Sequence, residues 1–474
     1  MLKPELNREP SLDIYRGGVI FLMIIANATS KMANLPWWMD HSFNNASRIN
    51  QIAWLDLISP MFMFIMGAAI PLAIASRMRR GQSRIRIVAH MIIRGGLLIW
   101  LGTAIYPYWF SASGVLSEAN RHILGGWWYA FGWLMPSEPR ILTGAWYLYG
   151  LLFPVALLGT GRLVRSEAGW HKMTGWALRV VALAYLVWAT LVVRTGPAAA
   201  GFFTGGYIPK TGVFASYGDN SGVFPASILG YLGFAYVLVG LIWAIVKDAS
   251  TLVKWSIPVL LLALMVHFQH EDAWLARLMG TTSWYLDVGT RFGYYGAMVA
   301  AGALVGDLFT RGISGSDIRR NLAGMMLLAL SVSLLAGGSL GEFPPASIAR
   351  TLVFVALSLM FFWMIWEISP LMAEGKCFGL LSRPATALGV NPLLAYMLGF
   401  GLAGAIDIFL NAGLARIMTI GHNLLRTTSG YVIIGPGAWW CEGWWGVALV
   451  ALPYAVICTA ITMLANKCKI IVKL

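Results

Sequence analysis

Long apolar runs dominate this chain and limit what it can fold into. A transmembrane helix needs roughly 20 apolar residues to cross the hydrocarbon core of a bilayer. Runs of about this length recur along all 474 residues, and only 11% of the residues are charged. Soluble domains carry about a quarter, so this chain cannot cover a water-facing surface. The pattern predicts an all-α, polytopic integral membrane protein.

Twelve candidate spans follow from these runs, so 10 to 12 transmembrane helices are expected. The candidates lie at residues 13–30, 52–76, 87–107, 141–160, 174–193, 225–246, 253–269, 286–306, 321–338, 347–368, 386–409 and 443–465. Other stretches are interpreted as loops, namely the basic segment 77–86 and the longer segments 31–51, 108–140, 195–224 and 410–442. No composition break divides the chain, so residues 1–474 are expected to form one transmembrane domain.

The distribution of basic residues predicts an orientation. Loops on the side of the N-terminus hold more than twice as many Lys and Arg residues as loops on the other side. Basic loops stay in the cytoplasm, so both termini and the segment 77–86 are predicted to be cytoplasmic, and the four longer loops external. The net charge of +14 comes from these short loops, and nucleic-acid binding is therefore not expected.

One acidic residue lies where an unpaired charge would be costly. Asp56 is flanked by apolar residues on both sides, in WLDLISPMFMFIMG. His41 lies in the loop that precedes it. An imidazole titrates near neutral pH, and a buried carboxylate can fix its tautomer. We therefore predict a His41–Asp56 dyad that deprotonates an amine or hydroxyl for attack on a thioester. The structural alternative is a solvated loop histidine.

Other polar residues near the spans have structural alternatives as well. Asp13 and Arg16 are spaced to pair on one helix face. Arg94 can extend its guanidinium to the lipid headgroups. Asn391 precedes a proline and can simply begin a helix.

Two short motifs have simple interpretations. Gly302 and Gly306 form a GxxxG motif, which favours close helix packing. His267 and His270 have the spacing of half a metal site. Because no second pair completes that site, no metal is expected.

The N-terminal part of the chain resembles a known family. The segments SLDIYRGGVIFLMIIAN, PWWMDHSF and WLDLISPMFMFIMGAAIPLAI resemble the N-terminal signature of the heparan-α-glucosaminide N-acetyltransferase family, particularly its bacterial branch of uncharacterised multispan proteins. The matching positions are Asp13, Arg16, Gly17, Asn27, His41, Asp56, Leu57, Pro60, Phe62, Phe64 and Gly67. A shorter echo, GVNPLLAYM, surrounds Asn391. The specific match covers the beginning of the chain only.

The resemblance implies a transmembrane acetyltransferase of the bacterial inner membrane. Such an enzyme moves an acetyl group from cytoplasmic acetyl-CoA to a sugar amine or hydroxyl on the extracytoplasmic side. The catalytic His of the family maps onto His41 and its thioester-side Asn onto Asn27, while Asp56 is expected to orient His41. Direct transfer and an acetyl-His41 intermediate are both open. The expected partners are a glycan or amino-sugar acceptor, the lipid bilayer and, as a homodimer, a second copy.

Residues for the acetyl-CoA co-substrate follow from the same resemblance. Guanidinium groups bind phosphate bidentately, and the basic inner loops are the natural place for the phosphates of CoA. The predicted cofactor-binding residues are Arg84, Arg86, Arg94, Asp13, Arg16 and Asn391.

Two other classes of protein compete with the enzyme. A transporter or flippase for a sugar or envelope precursor also explains ionisable residues within spans. It usually shows an internal repeat, and we find no convincing repeat between the halves of this chain. The third alternative is a non-catalytic membrane subunit of a polysaccharide-modification complex.

Overall fold

The secondary structure consists of helices only in the part of the chain that the structure describes. This computed structural model describes residues 9–29, 34–39, 42, 50–105, 151–195, 228–270, 273–279, 288–337, 343, 347–374, 376–408 and 443–472. The all-α prediction is thereby confirmed. The predicted loops 108–140 and 410–442 lie outside these residues, as do more than half of 31–51 and nearly all of 195–224.

Fourteen helices are labelled here in chain order. They are α1 Pro10–Thr29, α2 Trp54–Arg79, α3 Arg84–Ile105, α4 Leu151–Val164, α5 Gly169–Thr195, α6 Ile228–Val246, α7 Thr251–His267, α8 Trp274–Met279, α9 Gly289–Thr310, α10 Gly315–Gly337, α11 Ile348–Glu374, α12 Lys376–Val390, α13 Pro392–Ile408 and α14 Gly443–Lys467. The basic loop between α2 and α3 is shorter than predicted, because the two helices extend into it.

Eight of the described helices are long and apolar enough to cross a membrane, namely α1, α2, α3, α6, α9, α10, α11 and α14. The chain is therefore an integral membrane protein. Each of the twelve predicted spans overlaps a described helix, but the total of twelve and the cytoplasmic termini remain predictions. Helix length explains part of the difference between the twelve predicted spans and these eight helices. Helix α7 has 17 residues and measures about 25 Å, against a hydrocarbon core of about 30 Å.

One predicted span begins differently from the prediction. Instead of one helix over 386–409, α12 ends at Val390 and α13 begins at Pro392. The residue before a proline disfavours helical backbone, and proline itself suits the first position of a helix. Asn391 therefore marks a boundary between two helices.

Residue contacts divide the chain into two compact units. The first contains Met1–Val19, His41–Gly102 and Gly206–Gly389. In it, α9 packs against α2 through glycines. A Cβ atom on Gly302 would overlap the carbonyl oxygen of Phe64, and one on Gly306 would overlap that of Ala68. The prediction that the GxxxG motif serves helix packing is confirmed.

An aromatic cluster places α11 at the centre of the first unit. The ring of Phe362 lies 6.0 Å from Tyr15 of α1, 6.5 Å from Phe64 of α2 and 5.9 Å from Phe309 of α9, measured between centroids. Near the N-terminal ends of α2 and α11, Arg350 of α11 contacts Asp56 of α2. Helices α2 and α11 therefore run parallel, and their N-terminal ends lie together.

The second unit contains Ile20–Asp40, Thr103–Gly205 and Val390–Leu474. The hydroxyl of Tyr454 in α14 bonds the carbonyl oxygens of Leu398 (3.1 Å) and Gly399 (2.8 Å) in α13. Elsewhere in this unit, Phe153 of α4 stacks on Tyr185 of α5, with ring centroids 3.9 Å apart. Aromatic side chains thus join neighbouring helices of this unit, through a hydroxyl in one case and through ring stacking in the other.

Candidate active site

Asp56 lies in the first turn of α2. Its Oδ2 atom accepts a hydrogen bond from the backbone N–H of Ala53 at 3.2 Å. Ala53 is the N-cap residue, so the carboxylate turns back over the helix start and satisfies one of its unpaired N–H groups. A negative charge in this turn also interacts favourably with the helix dipole. The local sequence thus directs the Asp56 side chain towards the start of α2.

Arg350, in the first turn of α11, is the ion-pair partner of Asp56. Its Nη2 atom lies 3.0 Å from Asp56 Oδ2, and both side chains are only 4% exposed. The same nitrogen donates to the hydroxyl of Ser42 at 2.6 Å. Nη1 donates to the carbonyl oxygen of Phe343 at 3.3 Å. The charge that makes a carboxylate costly here is therefore compensated by a buried guanidinium.

Ser42 connects this ion pair to the segment that carries His41. In addition to its hydroxyl contact with Arg350, its backbone N–H donates to Asp56 Oδ2 at 3.4 Å. That N–H belongs to the peptide bond between His41 and Ser42. His41 itself lies outside the described residues, so the dyad remains a prediction. We call Ser42, Asp56 and Arg350 the Asp56 cluster.

The contacts of the Asp56 cluster define what it can do chemically. The guanidinium of Arg350 and the backbone N–H groups of Ser42 and Ala53 all donate to the carboxylate. A carboxylate accepts such bonds and donates none. Asp56 is therefore suited to hold the His41 segment in place. Trp54, two residues before Asp56, has a buried indole N–H with no acceptor among the described residues. This N–H is a candidate hydrogen-bond donor for a substrate.

Arg350 is not among the residues predicted for the site, although it lies inside the predicted span 347–368. A signal was present, since an Arg and an Asp that each lie in apolar helices are costly apart and stable together. The partner could not be chosen from the sequence, because Arg291 satisfies the same description.

Asp13 and Arg16 pair with each other on α1, at 3.3 Å. Arg16 also donates to the carbonyl oxygen of Gly389 at 3.2 Å. These contacts favour the structural alternative for this pair. Asn27, assigned to the thioester side, lies half-buried in the last turn of α1.

The buried amide of Asn391 is used within the second unit. It donates to the side chain of Asn466 at 3.0 Å and to the carbonyl oxygen of Ile470 at 2.9 Å. Its oxygen accepts the backbone N–H of Val472 at 3.1 Å. Both donors of the amide are thus occupied, one by the last turn of α14 and one by the segment after it, which favours a structural role over cofactor binding.

The three arginines predicted to bind phosphate have different surroundings. Arg84 is 61% exposed and pairs with Asp248 at 2.9 Å, while Arg86 is exposed. A hydrogen bond from Lys247, with nearby positive charges, holds the pKa of Asp248 below its ordinary value. Arg94 lies ten residues further along α3, about 15 Å from Arg84. Its guanidinium lies over the ring of Tyr236, 5.3 Å from the centroid.

A second buried charge cluster joins α7 to α9. Lys254 Nζ lies 2.8 Å from Asp307 Oδ1, and both side chains are 7% exposed. Arg311 binds the other oxygen of Asp307. Lys254 is thus buried in the first turn of α7.

The histidine pair after α7 makes local contacts. Nε2 of His267 accepts the backbone N–H of Leu275 at 3.2 Å. Among the described residues, no group of three His, Cys, Asp or Glu side chains is arranged to hold a metal ion.

A domain family and two curated proteins each match a part of this chain. A domain family of unknown function, DUF5009, matches residues 8–126. The heparan-alpha-glucosaminide N-acetyltransferase of Mus musculus is 32% identical over 103 residues, which are 22% of this chain and 14% of that protein. The Homo sapiens protein of the same name is 33% identical over 104 residues, again 22% and 14%.

The chain thus matches only about a seventh of the length of these curated relatives. Within that range, the resemblance to the heparan-α-glucosaminide N-acetyltransferase family is confirmed. Both relatives are named as acetyltransferases, so the similarity supports a transferase kind of activity in a membrane protein.

Proposed function

We propose that the chain transfers an acetyl group from cytoplasmic acetyl-CoA to an amine or hydroxyl of a sugar on the extracytoplasmic side. The Asp56 cluster is the observation that carries this proposal. It fixes the peptide next to His41 at the start of α2, within the segment that matches the domain family. The named activity of the two relatives supports the choice of acetyl transfer.

His41 acts as the general base in the proposed reaction. Its imidazole takes the proton of the acceptor amine or hydroxyl, and the freed lone pair attacks the thioester carbonyl carbon. The C–S bond then breaks, and the leaving CoA thiolate receives the proton from the imidazolium. General-base catalysis by a positioned histidine contributes roughly 10²–10⁴-fold to a rate.

Asn27 and Asp56 have supporting roles in this proposal. Asn27 donates a hydrogen bond to the thioester carbonyl oxygen as negative charge develops there, as the resemblance implies. Asp56 and Arg350 hold the segment that carries His41. The proposed setting is the bacterial inner membrane, with an amino sugar or glycan as acceptor and a homodimer as the assembly.

A transfer assay tests the proposal. Purified protein in lipid nanodiscs is given acetyl-CoA with a labelled acetyl group, and either glucosamine or its N-acetylated form, which offers hydroxyls only. Labelled sugar and free CoA thiol are measured together. We expect His41→Ala to lower turnover by about 100-fold or more. His270→Ala, which removes an exposed histidine, is the matched control.

Normal turnover in His41→Ala would remove the proposed mechanism. Transfer to glucosamine alone would identify N-acetylation. Labelled protein that accumulates without acceptor, and is lost in His41→Ala, would identify an acetyl-His41 intermediate rather than direct transfer.

The buried Lys254–Asp307 pair supports a transporter as second candidate, because paired charges within membrane helices often mark ion or substrate pathways. Flux of labelled sugar into proteoliposomes without acetyl-CoA would favour it. The absence of both flux and transfer would favour a non-catalytic subunit.

A further inference from the structure

The connection between α10 and α11 reaches the Asp56 cluster through Phe343. The backbone N–H of Phe343 donates to the carbonyl oxygen of Asn50 at 2.7 Å, three residues before the N-cap of α2. Its own carbonyl oxygen accepts a hydrogen bond from Nη1 of Arg350 at 3.3 Å. The other terminal nitrogen of that guanidinium, Nη2, donates to the hydroxyl of Ser42 at 2.6 Å. Two hydrogen bonds through one guanidinium group therefore connect Phe343 to Ser42.

Both of these contacts are made by the backbone of Phe343, so they hold the residue in place without using its ring. Pro344 follows in the sequence, and a residue before a proline favours extended backbone. The Phe343 side chain is half-buried, and its ring pairs with no other aromatic ring in the part of the chain that the structure describes. A fixed and partly open aromatic side chain of this kind is suited to line a ligand site.

The position of Phe343 at one end of the first unit bears on what such a ligand is. Helices α2 and α11 run parallel with their N-terminal ends together, so the segments that precede them lie at the same end. The basic loops predict that this end is external, which is the side of the acceptor in the proposed reaction. Phe343 lies outside residues 8–126, which match the domain family, so the resemblance gives it no role.

We infer that the ring of Phe343 is the surface on which the sugar ring of the acceptor packs. A sugar ring presents C–H groups on its faces, and the negative face of an aromatic ring attracts such weakly positive hydrogens. Both apolar surfaces also leave water when they meet. The contact determines which acceptors bind, because it selects a ring and not only an amine or hydroxyl. The inference rests on the proposed function, since it takes the bound sugar to be the acceptor.

A kinetic comparison of Phe343 variants tests this contact. Protein in nanodiscs receives glucosamine and labelled acetyl-CoA, and the concentration of each is varied in turn. Phe343→Leu removes the aromatic face and keeps an apolar side chain, whereas Phe343→Trp keeps an aromatic face. Neither change removes the backbone groups that bond to Asn50 and Arg350. Thermal unfolding checks that each variant folds.

Phe309→Leu is the matched control for the loss of a ring. Phe309 is also half-buried, but it lies in the last turn of α9. Three residues before it, Gly306 packs on Ala68, which is about 18 Å along α2 from Asp56. The control therefore removes a ring of similar burial far from the Asp56 cluster.

We expect Phe343→Leu to raise the KM for glucosamine about three- to tenfold, because an aromatic contact is lost. Its kcat and its KM for acetyl-CoA should stay within about twofold of wild type, as for a residue that contributes to binding alone. Phe343→Trp and Phe309→Leu should leave all three constants within about twofold. A lower kcat at unchanged KM in Phe343→Leu would show that the ring positions the His41 segment, and would overturn the sugar contact.

A binding measurement without acetyl-CoA separates this inference from the proposed function. Aromatic protons of the protein are saturated by NMR, and transfer of saturation to glucosamine is recorded. Phe343→Leu should lower this transfer, whereas Phe343→Trp and Phe309→Leu should not.

The possible outcomes have different consequences. If wild-type protein acetylates glucosamine but neither KM nor saturation transfer depends on Phe343, the sugar contact is wrong while the function stands. If no acetyl transfer occurs but saturation transfer still depends on Phe343, acetyl transfer is wrong while the sugar site stands. Wild-type protein that neither acetylates nor binds glucosamine would overturn both.

Discussion

At the scale of single residues, the ion pair between Asp56 and Arg350 is the most consequential contact. Both side chains are almost fully buried. Removing one partner of a buried pair leaves an uncompensated charge, which typically costs about 3–5 kcal/mol. The pair therefore sets the stability of the segment next to His41 as well as its position.

Arg350→Met tests this energy. We expect the free energy of unfolding to fall by about 3–5 kcal/mol, measured by thermal or denaturant unfolding in detergent. Arg319→Met is the matched control, because it breaks an Arg–carboxylate pair with Glu367 that is largely exposed and should cost about 1 kcal/mol or less. Equal losses in the two variants would contradict a special role for the buried pair.

Two substitutions at Ser42 distinguish the anchoring of the His41 segment from the general stability of the protein. Ser42→Pro removes the N–H that donates to Asp56, whereas Ser42→Ala removes only the hydroxyl contact with Arg350. We expect the rate of acetyl transfer in Ser42→Pro to be about tenfold or more below that in Ser42→Ala, since displacement of a catalytic group lowers the rate steeply. CoA binding should be unchanged in both variants. A loss of CoA binding in Ser42→Pro would show wider damage and contradict the local role.

Residue types could be predicted from the sequence more readily than their partners. Asp56 was identified because a carboxylate among apolar residues is costly. Its partner Arg350 is 294 residues away, and such long-range pairing depends on how helices pack, which hydropathy does not record. Asn391 was identified as polar and close to a helix start, but its contacts with the segment after α14 require the folded second unit.

At the scale of elements, small residues decide which helices can approach closely. The GxxxG motif in α9 predicted close packing, and the structure adds that the partner is α2. Helix positions were predictable because a span needs a long apolar run. Hydropathy alone predicted one span over 386–409, whereas the proline after Asn391 allowed a helix to begin there, and the structure has that boundary.

Gly302→Ala tests the contact between α2 and α9. Its Cβ atom would overlap the backbone oxygen of Phe64, and overpacking of this kind costs about 1–3 kcal/mol. Gly296→Ala in the same helix is the matched control, because its Cβ atom would lie 3.5 Å from the nearest atom, in Leu261. That change should be neutral or stabilise by up to about 1 kcal/mol. If the two variants had the same unfolding midpoint, this close packing of α2 against α9 would be contradicted.

At the scale of the whole molecule, the number of spans depends on short helices. In the part of the chain that the structure describes, hydropathy located all eight helices that are long and apolar enough to cross a membrane, and charge predicted an orientation. Neither decides whether α7, at about 25 Å, crosses the bilayer. A short helix can span by local thinning of the membrane at a modest energetic cost, so composition does not settle the count.

Labelling of single cysteines tests the orientation around α7. In a background without the native cysteines, we introduce Ser83→Cys, Ala249→Cys and His270→Cys. The basic loops predict that Ser83 and Ala249 are cytoplasmic, and a spanning α7 places His270 on the other side. A membrane-impermeant thiol reagent applied to intact cells should therefore label position 270 only. Labelling of all three positions only after lysis would show that α7 does not cross the membrane.

The pairing of Asp56 with Arg350 also affects how the protein is made. A ribosome adds about 5–20 residues per second, so the 294 residues between the two partners take about 15 to 60 s to synthesise. Throughout this time, the start of α2 carries a carboxylate without its guanidinium. Because an unpaired carboxylate is costly in an apolar environment, we expect the start of α2 to stay near water until α11 is made.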